Sequence, residues 1–371
     1  MKKLQNKPPP GAKARPLMPL VIAGPCSAES PRQLLETATA LAATGKVDYF
    51  RAGVWKPRTA PGSFEGMGSK ALGWLKEVKQ TTGLAICTEV GSVKHVEEAL
   101  LYDLDMIWIG ARTVSNPFLV QDLADTLKGT NISVMVKNPM APDLDLWAGS
   151  IERFRHAGVR QVSAIHRGFF YWTKSLFRNH PWWHIPTGLK ERMPDVPVIC
   201  DPSHIAGDRK LVPLLAQRGL ELGLDGLMIE VHPEPDKALS DAAQQLTPAA
   251  FANLMEQLGE RIKNDSHHDN MLEELRAEVD VVDQVLIWAL SNRMKLAGEI
   301  AGVKSSQKMP ILQPGRWQQV MANALSKATD AGLRPGFVKQ LFDHIHHESL
   351  SQQQAPGVTK RKKSGIHSIF G

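Results

Sequence analysis

From residue 20 onward the chain alternates between short apolar runs and longer amphipathic ones. The runs at 20–24, 48–53, 84–88, 106–110, 133–137, 161–165, 196–200 and 226–229 are four to six residues long and mostly β-branched or aliphatic. Such runs read as strands buried on both faces, the form that strands take in parallel sheets. Most of the intervening stretches repeat apolar positions at helical spacing. Helix starts are marked as well. Ser30-Pro31-Arg32-Gln33 fits a capping box with proline at the first helical position, and Asn116-Pro117 and Thr247-Pro248 repeat the cap-then-proline order. Eight strands alternating with helices over roughly 245 residues predict an α/β (β/α)8 TIM barrel; a doubly wound open sheet is the alternative.

The polar positions then fall in one place. The run PVICDPSH (197–204) passes from a buried strand straight into acid, hydroxyl and imidazole, and the other strands end in a similar way. Gly24-Pro25-Cys26, Arg51 with Lys56, Glu89, Gly110-Ala111-Arg112, Lys137-Asn138, His166-Arg167-Gly168, Asp201 to His204, and Glu230-Val231-His232 each follow a strand. In a barrel these endings converge on one face, where barrel active sites lie. Arg51, Lys56, Arg112, Lys137 and Arg167 exceed what one carboxylate needs, and guanidinium forks with ammonium point charges suit phosphate and carboxylate groups. They point to a small, highly anionic substrate; ion pairs with acids around the rim are the alternative for any one of them. Cys26, His204 and Glu230 offer thiolate, imidazole and carboxylate, a set suited to a borderline divalent ion, and Asp241 completes four ligands. Cys87 and Cys200 lie inside apolar runs and read as core.

After Arg261 the pattern changes. KNDSHHDN (263–270) is polar and turn-rich, a linker. Leu272, Leu275, Val279, Val282, Leu286, Ala289, Arg293, Leu296, Ile300 and Val303 then repeat at spacings of three and four, a heptad seam on a long helix. One helix cannot bury that stripe, so it needs partner helices or a second chain. Arg293 interrupts the seam with a cation, which either reaches out to water or receives an anionic ligand. Lys304, 11 residues on, falls about 20° away around the helix; Arg276, 17 residues before, stands about 25 Å away along the axis. If Arg276 and Arg293 serve one small anion, Arg276 comes from another subunit. His344, His346 and His347 read as a solvated face.

Composition narrows the reading further. The 371 residues are 43% hydrophobic and carry a formal net charge of +6, of which the run Lys360 to Lys363 contributes four. The remaining +2 (6 − 4) gives no basis for a nucleic-acid surface. Three cysteines, no apolar leader and no apolar run of membrane-spanning length predict a cytoplasmic protein with reduced thiols and no membrane partner. The expected organisation is an arm at 1–18, a barrel at 19–262, a linker at 263–270, a helical domain at 271–354 and a basic, unstructured tail at 355–371.

GPCSAES from Gly24, KPRT from Lys56, DPSH from Asp201 and IEVHP from Ile229 resemble the type I-beta 3-deoxy-D-arabino-heptulosonate 7-phosphate (DAHP) synthase family, in order and spacing, over roughly residues 21–245. The resemblance implies metal-dependent condensation of phosphoenolpyruvate with erythrose 4-phosphate. Cys26, His204, Glu230 and Asp241 would bind the divalent metal, with Mn²⁺ preferred and Zn²⁺, Fe²⁺ or Co²⁺ open. Arg51, Lys56, Arg112, Lys137 and Arg167 would hold phosphoenolpyruvate. Arg58 and Thr59 would hold the aldose phosphate and Asp201 its hydroxyl. Lys56 would give a proton to the new alkoxide, and Glu89 would help to place the water. A sister synthase that uses arabinose 5-phosphate is the alternative within the barrel; KPRT favours the four-carbon aldose.

Residues 271–354 resemble the all-helical chorismate mutase family, a three-helix chain in an interlocked dimer. The resemblance carries Arg276, Arg293, Lys304, Arg316, Ser349 and Gln353 to chorismate-binding positions, with Lys304 and Gln353 at the breaking ether oxygen. One departure stands out: Trp317 follows Arg316 where the family often has an acid. The implied whole is a bifunctional enzyme of the shikimate pathway, a homodimer through its helical domain. Feedback from chorismate or prephenate is compatible with it. A non-catalytic dimerising sensor of those ligands is the competing reading of the helical domain.

Overall fold

The computed structural model describes residues 19–57, 62–171, 176–263 and 270–354. The chain divides into two compact units, Met1–Asn264 and Asp265–Gly371.

In the first unit eight parallel strands close into a barrel in sequence order. They are β1 (Leu20–Gly24), β2 (Tyr49–Arg51), β3 (Ala85–Val90), β4 (Met106–Ile109), β5 (Ser133–Lys137), β6 (Val162–His166), β7 (Val198–Cys200) and β8 (Gly226–Glu230). Every bound falls within two residues of its expected position. The ring closes because β1 pairs with β2 on one edge and with β8 on the other. Helices on the outside cover the strands, as the alternating pattern requires.

Helix starts follow the predicted chemistry with one correction. Asn116 Oδ1 accepts from the Phe118 and Leu119 amides, and Thr247 Oγ1 accepts from the Ala250 amide. Ser30 Oγ likewise accepts from the Gln33 amide at 3.1 Å. The reciprocal half of the box is not made: Gln33 Oε1 takes the Glu29 amide and Nε2 donates to the Ser27 carbonyl. The loop that carries Cys26 supplies those nearer partners.

Strand side chains alternate between two apolar environments. Ile22, Cys87, Met106, Trp108, Met135, Ile165, Ile199 and Met228 fill the barrel interior. Their neighbours Val21, Phe50, Ile86, Ile107, Val134, Ala164, Val198 and Leu227 face the helices in the main core, which also takes Cys200. The interior set ends upward in chemistry. Two residues beyond Cys87, Met135, Ile199 and Met228 come Glu89, Lys137, Asp201 and Glu230, on the same side of their strands.

Gly24 is a point of enforced closeness. Its φ is +150°, and a Cβ there would lie 2.1 Å from the Arg51 carbonyl oxygen. Only glycine lets β1 approach β2 at the level where Cys26 and Arg51 meet.

The described residues of the second unit form three helices: Asn270–Ser306, Pro314–Asp330 and Pro335–Gln354. The last packs against both others. Ala297, Ala301, Ala328, Val338 and Ser349 are buried among them, whereas Val279, Leu286, Leu296, Ile300 and Val303 of the predicted seam are exposed within the chain. No helix among the described residues is long and apolar enough to cross a membrane.

Candidate active sites

Ligand-type side chains gather at the carboxyl end of the barrel. One potential ligand atom each from Cys26, Glu230 and Asp241 lies within 4.8 Å of the others. Cys26 Sγ is 3.3 Å from Asp241 Oδ2. His204 Nε2 stands 3.7 Å from Glu230 Oε1, while its Nδ1 is 2.9 Å from Asp201 Oδ2. A carboxylate on one ring nitrogen, with the other turned inward, is how metal-binding histidines are oriented.

The donor set of this cluster suits a divalent cation. Burial, with Glu230 second, pushes the Cys26 thiol up to about 12 even though Lys56 opposes the shift. Burial, with Lys137 also acting, lowers the His204 pKa against the pull of Asp201 and Glu230 and so favours the neutral imidazole, the form that can donate a lone pair. Glu230 Oε1 is fully buried and accepts no well-formed hydrogen bond from the described residues; Arg51 Nη2 stands 3.1 Å from it as an ion pair. A divalent ion would take that oxygen and stabilise the thiolate, so the residues fit one. Asp241 is placed by a left-handed backbone, φ +47°, and by Arg178, whose Nη1 donates to Oδ1 at 3.0 Å. Burial would raise its pKa, but His204, Arg178 and Lys56 hold the carboxyl well below its usual range.

The cations are held rather than free. Arg51 lies fully buried, 3.1 Å from Glu230, and its Nε and Nη1 donate to none of the described residues. Lys56 Nζ donates to Cys26 Sγ at 3.1 Å and to the Cys26 carbonyl at 3.2 Å. Burial opposes its charge, but Cys26 and Glu89 outweigh burial and keep its pKa raised. Lys137 pairs with Asp201 at 2.9 Å, both buried. Burial, with Arg178 and Arg112 also acting, lowers the Arg167 pKa to about 10 against the pull of Asp201. Its Nη1 donates to Asn179 Oδ1 at 2.8 Å. Arg112 is exposed and reaches the Pro57 carbonyl at 3.5 Å. Low dielectric and neighbouring cations make this end of the barrel a trap for a compact polyanion.

The helical unit holds a second, smaller cluster. Arg293 Nη1 donates to Ser349 Oγ and to the Ile345 carbonyl. Burial lowers the Arg293 pKa. One turn beyond Ser349, Gln353 Oε1 is buried without a hydrogen bond from the described residues. Lys304 Nζ donates to the Ile311 carbonyl, and Arg316 reaches Gln319. The Trp317 ring is stacked on His346, centroids 3.9 Å apart. Arg276 lies on the first helix. Arg58 and Thr59, and the side chain of Arg276, fall outside the described residues.

Comparison with known proteins shows the family to which this site belongs. Residues 13–264 match the DAHP synthetase I family. The chain belongs to that family. Residues 275–354 match chorismate mutase type II, so the DAHP synthase barrel is joined to a chorismate mutase domain and both enzyme families are present in one chain. A phospho-2-dehydro-3-deoxyheptonate aldolase of Thermotoga maritima is 34% identical over 238 residues, 64% of this chain and 68% of its own length. A 2-dehydro-3-deoxyphosphooctonate aldolase of Nitrosococcus oceani is 28% identical over 255 residues, 64% of this chain and 88% of its own. The crystal structure of the Thermotoga maritima DAHP synthase superposes with a TM-score of 0.59 at 31% identity, over 66% of this chain and 69% of that one.

Within the candidate synthase site the structure brings together Cys26, Arg51, Lys56, Lys137, Asp201, His204, Glu230 and Asp241 through the contacts above. Glu89 stands beside them, its Oε2 accepting from Trp108 Nε1 at 3.2 Å. Three side chains in contact with these groups escape a reading of strand ends. Arg178 and Asn179 sit deep in a long loop, more than ten residues beyond β6, where no periodicity marks them. Trp108 looks like core in the sequence, because it lies in an unbroken apolar strand.

Proposed function

We propose that the barrel condenses phosphoenolpyruvate with erythrose 4-phosphate to DAHP and phosphate, with a divalent ion held by Cys26, His204, Glu230 and Asp241. The cluster of Cys26, Glu230 and Asp241, with His204 Nε2 turned toward Glu230 Oε1, carries the metal part of that reading. When bound, the ion supplies Lewis acidity to the aldehyde carbonyl. Arg51, Lys137, Arg167 and Arg112 hold phosphoenolpyruvate; Arg51 keeps spare donors for it. Arg58 and Thr59 hold the aldose phosphate. The C3–C1 bond forms as the enol attacks the aldehyde carbon. Lys56, kept protonated beside Cys26, delivers its proton to the new alkoxide. Glu89 directs water to C2, and the C–O bond to phosphate breaks from the resulting hemiketal. Fixed cations hold two anions that repel each other in solution, so positioning and electrostatics supply most of the acceleration.

In the second unit Arg293, Ser349, Lys304, Arg316 and Gln353, with Arg276 from a second copy of the chain, hold chorismate in its compact conformer for rearrangement to prephenate. The buried, uncapped Gln353 Oε1 beside the Arg293–Ser349 pair supports this placement. No proton transfer is needed; donors at the ether oxygen stabilise its developing charge. The organisation we assign is a cytoplasmic homodimer with a barrel at 19–262 and a mutase domain at 271–354. Prephenate bound to the latter lowers the synthase rate.

The test uses the intact protein loaded with Mn²⁺, before and after a chelator. Loss of phosphoenolpyruvate with erythrose 4-phosphate, but not with arabinose 5-phosphate, should vanish on chelation. Conversion of chorismate should persist and disappear in Lys304→Ala. Persistence of condensation without metal would overturn the ligand assignment, absence of chorismate conversion would leave the helical unit a sensor, and a synthase rate indifferent to saturating prephenate would remove the feedback.

A further inference from the structure

Trp108 is fully buried at the point where the apolar barrel interior gives way to charge. On one side β4 pairs it directly with Glu89; on the other it pairs with Met135, two residues before Lys137. Its indole meets three of the groups assigned to the condensation. Nε1 donates to Glu89 Oε2 at 3.2 Å. Arg51 Cζ sits 4.9 Å from the ring centroid and Lys137 Nζ 6.0 Å from it.

We infer that Trp108 is a positioning residue of the synthase site, its ring ordering Arg51 and Lys137 for the anionic substrate and its N–H fixing Glu89. The inference rests on the condensation proposed above and adds to it the residue that sets three of its groups in register.

Space filling alone does not account for this arrangement. An apolar layer could be closed by isoleucine or methionine, as at most of the other interior positions of the strands. A buried indole brings an N–H that must find an acceptor, and here it finds the one carboxylate assigned to water. Its quadrupole also offers negative potential to two like charges that would otherwise repel across the barrel. Arg51 needs that support. It is ion-paired to Glu230 through Nη2, but Nε and Nη1 donate to none of the described residues. A guanidinium with idle donors stays aimed only if its plane is held by something that does not use them up, and an aromatic face does so. On the far side Gly110 leaves room for the same carboxylate: a Cβ there would lie 2.1 Å from Glu89 Oε1. Glu89 is thus located by a donor on one oxygen and by open space around the other.

The test separates ring from N–H in the full-length, Mn²⁺-loaded protein. Trp108→Phe keeps an aromatic face and removes the donor; Trp108→Leu removes both. Phosphoenolpyruvate binding is read by calorimetry, kcat by phosphate release with erythrose 4-phosphate, and folding by thermal melting. Trp108→Phe should bind phosphoenolpyruvate within about threefold of the parent while kcat falls tenfold or more, the signature of an interaction used in turnover rather than in binding. In a Glu89→Gln background Trp108→Phe should cost no more than about a further threefold, because the indole acts through that carboxylate. Trp108→Leu should weaken phosphoenolpyruvate binding tenfold or more. Multiplying effects of Trp108→Phe and Glu89→Gln would overturn the Glu89 role, and parental phosphoenolpyruvate affinity in Trp108→Leu would overturn the cation role. Losses in both variants that simply track a lowered melting temperature would make Trp108 packing and nothing more. If the parent binds phosphoenolpyruvate yet never condenses it with the aldose, the proposed function fails and takes the Glu89 role with it. The binding comparison would still decide the role of the ring toward Arg51 and Lys137.

Discussion

Glu89 illustrates how little separates a working side chain from a misplaced one. Gly110 yields space to it, and the steric demand of one methyl group falls on the flexible end of the carboxylate, not on backbone. Gly110→Ala should therefore leave the melting temperature nearly unchanged and lower the synthase kcat by roughly ten- to a hundredfold, up to the lower end of the loss expected when a proton-transferring group is removed outright. Chorismate conversion by the same preparation should stay at the parental level. A variant with parental kcat would show that the Glu89 position tolerates displacement.

His166 follows a different logic. It ends β6 beside Arg167 but turns to the helix side, with its ring centroid 5.2 Å from Trp183, 5.7 Å from Phe169 and 6.4 Å from Trp147. Burial pushes its pKa down to about 3, far more than Asp201 raises it. The unfolded imidazole titrates near 6.5. The native state thus prefers the neutral form, and the stability tied to that preference is intact above about pH 6.5 and lost progressively as the pH falls toward 3. The loss is on the order of a few kcal/mol. His166→Phe should flatten that limb of the stability curve, measured by denaturant titration at several pH values; an unchanged acid limb would place the titrating group elsewhere.

The elements themselves were readable because each obeys one dominant constraint. A strand buried on both faces must be apolar throughout, so β1, β4, β5 and β8 announce themselves. Asn116 and Thr247 mark helix starts because orphan amides need acceptors there. The site was readable where a charged group directly ends a strand, as at Arg51, Glu89, Lys137, Asp201 and Glu230. It was not readable where a contact depends on a long loop folding back. Nothing local says that Arg178 will reach Asp241 or that Asn179 will reach Arg167. Trp108 was hidden for the opposite reason: its hydrophobicity satisfied the strand pattern, and only the barrel register reveals which neighbours it meets.

At the level of the whole chain, the helix Asn270–Ser306 carries a consequence for assembly. It is 37 residues long, and Leu286 and Ile300 of its predicted seam are 53% and 51% exposed within a single chain. Exposed apolar residues at that spacing support the homodimer proposed above. The combined Leu286→Lys and Ile300→Lys variant should sediment as a monomer where the parent sediments as a dimer. It should also lose most chorismate conversion, because Arg276 would no longer be delivered across the interface. A monomeric variant with full mutase activity would show that one chain builds the site alone.

The alternation along the barrel strands also bears on the gene that encodes them. Met135 and Lys137, or Met228 and Glu230, share a side only because one residue separates them. Loss of a single codon between such a pair would keep the reading frame and the hydrophobic composition yet turn the terminal charge toward the helices. Codon gains or losses should therefore be purged from these strands and accumulate in the connections, so that the lineage of such a barrel is recorded as strands of constant length joined by loops of variable length.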